Sequence, residues 1–259
     1  MSPSRSRLVK HELASAYDRA APAFADDADP VYALLNRPLA DALARLSGRT
    51  LDVAAGSGAL GRLLPATVAV DISGGQLAHN PTALKVRGDA EWLPFRDGAF
   101  AAAGCAFGIN HFPDPVAATA EMGRVAPVVG LLTWVRPEPP YAPKQIVNDV
   151  LGRRAGRSRT DVGALLDDLG NAVGSAEAVG DLLRGAGLRS DARVIEVDVP
   201  WPGVDAWLAY RLGIPTAAGL VSDDDQPHVR REVAAAIGTL SPAELLWRAR
   251  LVLGLGRRV

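Results

Sequence analysis

Along this chain, short runs of consecutive apolar residues alternate with segments whose apolar residues recur every three or four positions. The first pattern fits strands buried on both faces, and the second fits helices with one buried stripe. Arg7 to Ala20 predicts an amphipathic helix with Leu13, Tyr17 and Ala20 on one stripe. Asp26 to Pro30 reads as turn-forming punctuation. A second helix is expected from Pro38, with Leu39, Leu43 and Leu46 inward and Gly48 as its stop. Thr50 to Ala54 reads as a buried strand, followed by a glycine-rich turn and a short helix to Leu64. Val68 to Val70, Ala83 to Val86, Phe100 to Phe107 and Val128 to Val135 read as further strands. Pro115 to Ala126 has helical period before Pro127 stops it.

Alternation of this kind predicts a doubly wound α/β fold, a mostly parallel sheet with helices on both faces. After Val135 the rhythm changes. Helices are expected over Lys144 to Leu151, Asp161 to Leu169, Ser175 to Ala186, Val204 to Leu212 and Gln226 to Ile237, with a strand at Val194 to Val199. Ser241-Pro242-Ala243-Glu244 has capping-box spacing but room only for a short turn. From Trp247 to Gly254 the period is two, so a last strand is expected there. Paired with Val194 to Val199, it would complete a seven-stranded, Rossmann-like sheet with an antiparallel edge.

Composition narrows the function. With 259 residues and 48% of them apolar, the chain holds a sizeable core. A formal net charge of −1 gives no general attraction to nucleic acid or anionic membrane. Cys105 is the only cysteine, which excludes an internal disulfide and a thiolate metal cage. The histidines form no spaced ligand set, so no metal is expected. No apolar run approaches the roughly 20 residues of a membrane span, and the basic N-terminus lacks an apolar signal core. The expectation is a cytoplasmic protein.

The chemistry concentrates at Leu51-Asp52-Val53-Ala54-Ala55-Gly56-Ser57-Gly58-Ala59-Leu60-Gly61. Gly56, Gly58 and Gly61 fit G-x-G-x-x-G, the dinucleotide fingerprint, and such a turn lets a ligand approach the backbone. That fingerprint expects a ribose-binding acid roughly 20 residues on. Here Asp52 lies inside the strand, and Asp71 follows Gly56 by fifteen residues. A nicotinamide-dependent oxidoreductase therefore stays open as a lesser alternative.

The stretch more closely resembles the first motif of class I S-adenosylmethionine (SAM)-dependent methyltransferases, with Ala54 where the family has glycine. Three further stretches carry the resemblance: Val68 to Ser73, Gly88 to Phe95, and Phe107 to Pro115. Together they resemble the quinone-biosynthesis C-methyltransferase type and its small-molecule relatives, closely over about residues 50 to 135. Tyr17-Asp18-Arg19-Ala20-Ala21-Pro22 echoes the family's N-terminal lid.

The resemblance implies SAM as cofactor. Asp52, Ala54, Gly56 and Gly58 would shape the turn over its amino acid part. Asp71 and Ile72 would meet the ribose, Asp89 and Ala90 the adenine, and Phe107 and Tyr17 would complete the wall. Trp92 is expected beside the adenine. Two departures stand out: Ala101 replaces an aspartate usual after the fourth-strand phenylalanine, and Ala126-Pro127-Val128-Val129-Gly130 replaces a Pro-Gly-Gly.

The implied function is methyl transfer to an O, N or C atom of a small, partly apolar metabolite. A SAM-fold protein with a non-methylating reaction is the alternative. The chain is expected to be one domain, with a lid over about 1–46, a cofactor core over 50–135 and a cap over 136–259. His111 is a candidate general base or a loop-holding histidine. Tyr141, Trp201, Trp207 and Tyr210 are candidates for a substrate pocket. The cluster Arg153, Arg154, Arg157 and Arg159 reads as a solvated linker or as a clamp for an anionic substrate group.

Overall fold

The structure is a computed structural model that describes residues 3–258. Seven strands build one sheet: β1 (Thr50–Val53), β2 (Thr67–Asp71), β3 (Leu84–Arg87), β4 (Ala102–Ala106), β5 (Val128–Trp134), β6 (Arg189–Val199) and β7 (Trp247–Arg257). The helices are α1 (Pro3–Ala23), α2 (Asp29–Leu43), α3 (Gly74–His79), α4 (Pro115–Val125), α5 (Ala142–Ala155), α6 (Asp161–Asn171), α7 (Ala176–Gly185), α8 (Val204–Gly213), α9 (Gln226–Ile237) and α10 (Pro242–Leu245).

Spatial order across the sheet is β3-β2-β1-β4-β5-β7-β6. The first five strands are parallel, and β7 runs antiparallel between β5 and β6. The expected β6–β7 pair therefore forms, and both strands run longer than their apolar cores indicate. Chain order reverses at β1, whose neighbours are β2 and β4. In an open parallel sheet that reversal leaves a crevice at the carboxyl ends of the strands.

Helices cover both faces. On one face, α2, α5, α8 and α9 pack Leu35, Leu39, Val147, Leu151, Trp207 and Val233 into the larger core. On the other, α4 and α7 pack Met122, Val125, Val179 and Leu183 against Leu51, Val53, Cys105 and Leu131. Cys105 is fully buried there, an inert core residue.

The first forty residues differ from expectation. Asp26 to Pro30 is no loop: a π-helical turn, Phe24–Ala28, joins α1 directly to α2, and α2 begins at Asp29. Pro38 then sits inside α2 rather than at its start. The helix continues past proline because packing holds it. A Cβ added at Gly130 would lie 2.5 Å from Leu39 Cδ1, and one at Gly104 would lie 2.8 Å from Leu43 Cδ1. The two glycines make a groove across β4 and β5 that receives those leucines. The helix expected up to Leu64 is only a 3₁₀ turn, Gly61–Leu63, since few residues separate the glycine turn from β2. The short helix α3, capped by Ser73 accepting from the Gln76 amide, was not expected. Among the described residues, no helix is long and apolar enough to cross a membrane.

Candidate active site

Two backbone anomalies mark the crevice. Ala54, just past β1, has φ +56°, and Phe107, just past β4, has φ +59°. Left-handed backbone is costly for a residue with a Cβ, and such positions concentrate where the surroundings must hold a shape. The two ends are in close contact: a Cβ on Gly108 would lie 2.5 Å from the Ala54 Cβ. Gly56 and Gly58 continue the turn at φ +51° and +99°, and a side chain at Gly58 would meet Asn80 and Pro81 at 2.9 Å.

The turn, the strand ends and the N-terminal helices enclose a cavity of about 1060 Å³, its open mouth included. Asp52, Ala54, Gly56, Asp71, Ile72, Asp89, Ala90, Phe107, Tyr17 and His111 all line it. Gly58 does not. It sits behind the wall, where its amide donates to the Ala55 carbonyl at 2.9 Å and shapes the turn. Trp92 points to solvent, 80% exposed, and lies outside the cavity.

Asp52 is 1% exposed, and its Oδ2 has no hydrogen-bond partner. Burial, and then the neighbouring Asp71 charge, push its carboxyl up to about 8, against a lesser pull from the Gly61 amide. Asp71 accepts from the Gly56 and Ser73 amides, each at 2.8 Å. Burial still raises its pKa over those two bonds. Two adjoining carboxyl groups, Asp52 buried and Asp71 half-buried, with spare acceptor capacity suit a ligand that brings positive charge and hydroxyl donors. SAM brings both, so the residues present fit it.

Asp89 is more fully engaged than the sequence reading has it. Lys10 of α1 donates to Asp89 at 2.7 Å and to Glu91 at 2.5 Å, and the Glu91 amide donates to Asp89 at 2.9 Å. An adenine amine would share that carboxylate with Lys10. Asp18 fastens the same helix by accepting from the Ser73 hydroxyl at 2.5 Å and the Gly75 amide at 2.8 Å. A Cβ on Gly75 would lie 2.9 Å from the Asp18 Cα, so α1 rests directly on the start of α3. Lys10, Leu13 and Tyr17 of α1, then Asp29, Tyr32 and Asn36 of α2, line the cavity at helical spacing. Apart from Tyr17, sequence reasoning missed these residues. Their i, i+3, i+7 periodicity was the available signal.

His111 lies in a 3₁₀ turn, Ile109–His111, beyond β4. Its ring nitrogens stand 3.4 Å and 3.5 Å from the Tyr17 hydroxyl. Burial, with a smaller contribution from Arg136, pushes its pKa down to about 4, so the imidazole is neutral at neutral pH.

Tyr17, Phe24, Tyr32 and His111 also border a second cavity of about 660 Å³. Trp207 and Tyr210 line it, as expected of substrate residues. Tyr141 and Trp201 do not: the Tyr141 hydroxyl donates to the Leu245 carbonyl at 2.8 Å, and Trp201 packs on Trp207. Both are packing residues. Trp134 and Trp247, stacked 5.8 Å apart, complete the aromatic wall. The arginine cluster divides. Arg153 and Arg154 pair with Glu232, and Arg157 with Asp161, on the surface. Arg159 alone reaches the second cavity.

With this geometry established, comparison with known proteins becomes specific. A family model described as a methyltransferase domain matches residues 51–133, the segment holding β1 to β5 and most of the first cavity's floor. Over that third of its length the chain is similar to the methyltransferase domain family. Demethylmenaquinone methyltransferase of Deinococcus radiodurans is 35% identical over 138 residues, covering 43% of this chain and 57% of that protein. The chain thus spans a little over half the length of the curated relative it matches. A protein from an antibiotic biosynthesis pathway of Anabaena variabilis, described as a methyltransferase, aligns with TM-score 0.59 and 17% identity over 84% of this chain and 96% of its own. A SAM-dependent methyltransferase of Thermotoga maritima aligns with TM-score 0.53 and 15% identity over 95% of this chain and 99% of its own. At those identities the two structures establish the fold alone, the seven-stranded, mostly parallel sheet.

Proposed function

We propose that this chain transfers a methyl group from SAM to an O, N or C atom of a small, partly apolar metabolite. The observation that carries the proposal is the pair Asp52 and Asp71, two adjoining carboxyl groups paired with no cation, beneath the glycine turn, in a cavity that continues into an aromatic chamber. SAM supplies a methyl already activated on a sulfonium. The chain's residues therefore have positioning and water exclusion to perform rather than bond-making of their own.

In this reading, Asp71 accepts from ribose hydroxyls and Asp52 holds negative charge under the amino acid part. Asp89 takes the adenine side together with Lys10. Phe107 and Tyr17 narrow the passage between the chambers, and His111 keeps Tyr17 in place. The chain works as one domain: α1 and α2 form the lid, residues 50–135 hold the cofactor, and the helices after residue 135 hold the acceptor. The printed name of the Deinococcus protein makes quinone-like rings reasonable first acceptors to try.

Calorimetry with S-adenosylhomocysteine tests the cofactor half. Asp71→Ala, which removes a charge-assisted contact of about 1.5–3 kcal/mol, should weaken binding roughly tenfold or more. Release of S-adenosylhomocysteine in the presence of hydroquinones and phenols tests the transfer. A folded wild-type protein that binds NAD and not S-adenosylhomocysteine would overturn the proposal.

A further inference from the structure

The second chamber has a charge imbalance that methyl transfer to a neutral ring does not use. Four cationic side chains line it, Arg136, Lys144, Arg159 and Arg211, and Glu138 is the only carboxylate among its lining residues. Asp167, behind the wall, pairs with Arg136 at 3.4 Å and with Arg159 at 3.0 Å, which still leaves the cations ahead by four to two. Lys144 is held by Glu138.

Arg211 has no such partner. Among the described residues it forms no ion pair, only a 3.3 Å hydrogen bond to the Asn148 side chain. It is 5% exposed, and its Nε has no acceptor. The Arg136 Nε atom and Asn110 Oδ1 are likewise buried without hydrogen-bond partners, whereas Arg159 Nε is taken up by its ion pair with Asp167. Arg211 feels the Glu138 carboxylate only at longer range, and a buried cation that no carboxylate contacts is costly to keep.

The chain also makes room for these side chains. A Cβ on Gly174 would lie 2.3 Å from the Arg136 Cβ, and one on Gly163 would lie 3.3 Å from the Arg159 Nε. The guanidinium groups come from separate elements, namely the loop after β5, the turn before α6 and the end of α8, and converge on one space. Facing them are Trp134, Trp207, Tyr210 and Trp247.

We propose that the acceptor is an aromatic compound carrying an anionic oxygen group, held by Arg211 and Arg136 while its ring lies on the tryptophan wall. This rests on the methyltransferase reading and names its substrate class. Guanidinium groups meet planar oxyanions through paired N–H donors, and aromatic rings stack on indole faces. The passage at Tyr17, Phe24, Tyr32 and His111 then sets the far side of the ring toward the first cavity.

Calorimetry on the full chain saturated with S-adenosylhomocysteine tests this, using benzoate, phenyl phosphate and the neutral benzamide as probes. One of the two anions should bind about tenfold or more tightly than benzamide. Whichever anion wins says whether the group is a carboxylate or a phosphate. Arg211→Met and, independently, Arg136→Met should erase that preference while S-adenosylhomocysteine affinity stays put. Because Arg211→Met removes a buried cation that no carboxylate contacts, its melting temperature should hold or rise. Equal binding of all three probes, or a preference that survives in both variants, overturns the proposal. Failure of the wild type to bind S-adenosylhomocysteine would instead overturn the methyltransferase reading, and is measured separately.

Discussion

Asp52 is kept at a cost to the free protein. Its carboxyl, pushed up to about 8, is mostly protonated at neutral pH in the ligand-free fold. Unfolded, it would ionise near 4. The folded state therefore binds the proton more tightly across that interval. The stabilisation linked to it is fully present below about pH 4 and is lost as pH rises through about 8. Asp52→Asn removes the titration while keeping the shape. Thermal unfolding should show the variant ahead of wild type by on the order of a few kcal/mol at about pH 8.5, with little difference at about pH 4. The same change should weaken S-adenosylhomocysteine binding. A pH-independent difference would remove Asp52 as a titrating group.

Ala54 offers a second test at the same scale. Glycine usually destabilises through the unfolded state, but at φ +56° the alanine Cβ is itself strained. Ala54→Gly should be neutral or stabilising by about 1 kcal/mol, read from urea unfolding midpoints. A loss of that size would mean that the turn relaxes without help.

Among elements, α1 is the one a ligand must pass. It lies over the cavity, fastened by Lys10 to Asp89 and Glu91 at one end and by Asp18 to Ser73 and Gly75 at the other. Asp18 stands largely in water, so each of its bonds is worth little. Asp18→Ala should speed release of S-adenosylhomocysteine roughly fivefold in stopped flow, with a smaller change in affinity, since ligand contacts are untouched. An unchanged release rate would mean that α1 does not gate the cavity.

How far each element was legible follows its energetics. The strands β1, β2, β4 and β5 are continuous buried runs between turn residues, so local pattern and global burial agree; β7 alternates only at its start and is buried on both faces over Leu251 to Gly254, where it lies between β5 and β6. The helix α2 was misplaced because Pro38 is a local stop signal, overridden by a leucine stripe fitting Gly104 and Gly130 on strands far along the chain. Asp52, Asp71 and Asp89 were legible because they lie in or just after strands that reach the crevice, whereas Asp29 on α2 and Glu91 were not. Lys10, Asp18 and Arg211 were not, because nothing local distinguishes a charged side chain that crosses to another element from one on a solvated face.

On the scale of the molecule, two chambers share one wall, and His111 belongs to both. It feels the second chamber's excess positive charge through Arg136, which with burial holds its pKa near 4. A base that weak removes few protons in the transition state, whereas a well-matched general base is worth about 10²–10⁴-fold. The geometry favours a positioning role, with His111 holding Tyr17 across the passage. Turnover by His111→Gln should therefore stay within about tenfold of wild type, because the amide can still meet the Tyr17 hydroxyl, while His111→Ala falls further. Neither profile should show an inflection at the ordinary histidine value of about 6.5. An anion seated on Arg136 cancels the charge that opposes the imidazolium. Titration by nuclear magnetic resonance should then find the His111 pKa higher with benzoate or phenyl phosphate bound than without, the Tyr17 contact being common to both states. Loss of a hundredfold or more in His111→Gln, together with a wild-type inflection near 6.5, would make His111 the base. The acceptor would then have to be one that needs deprotonation before it is methylated.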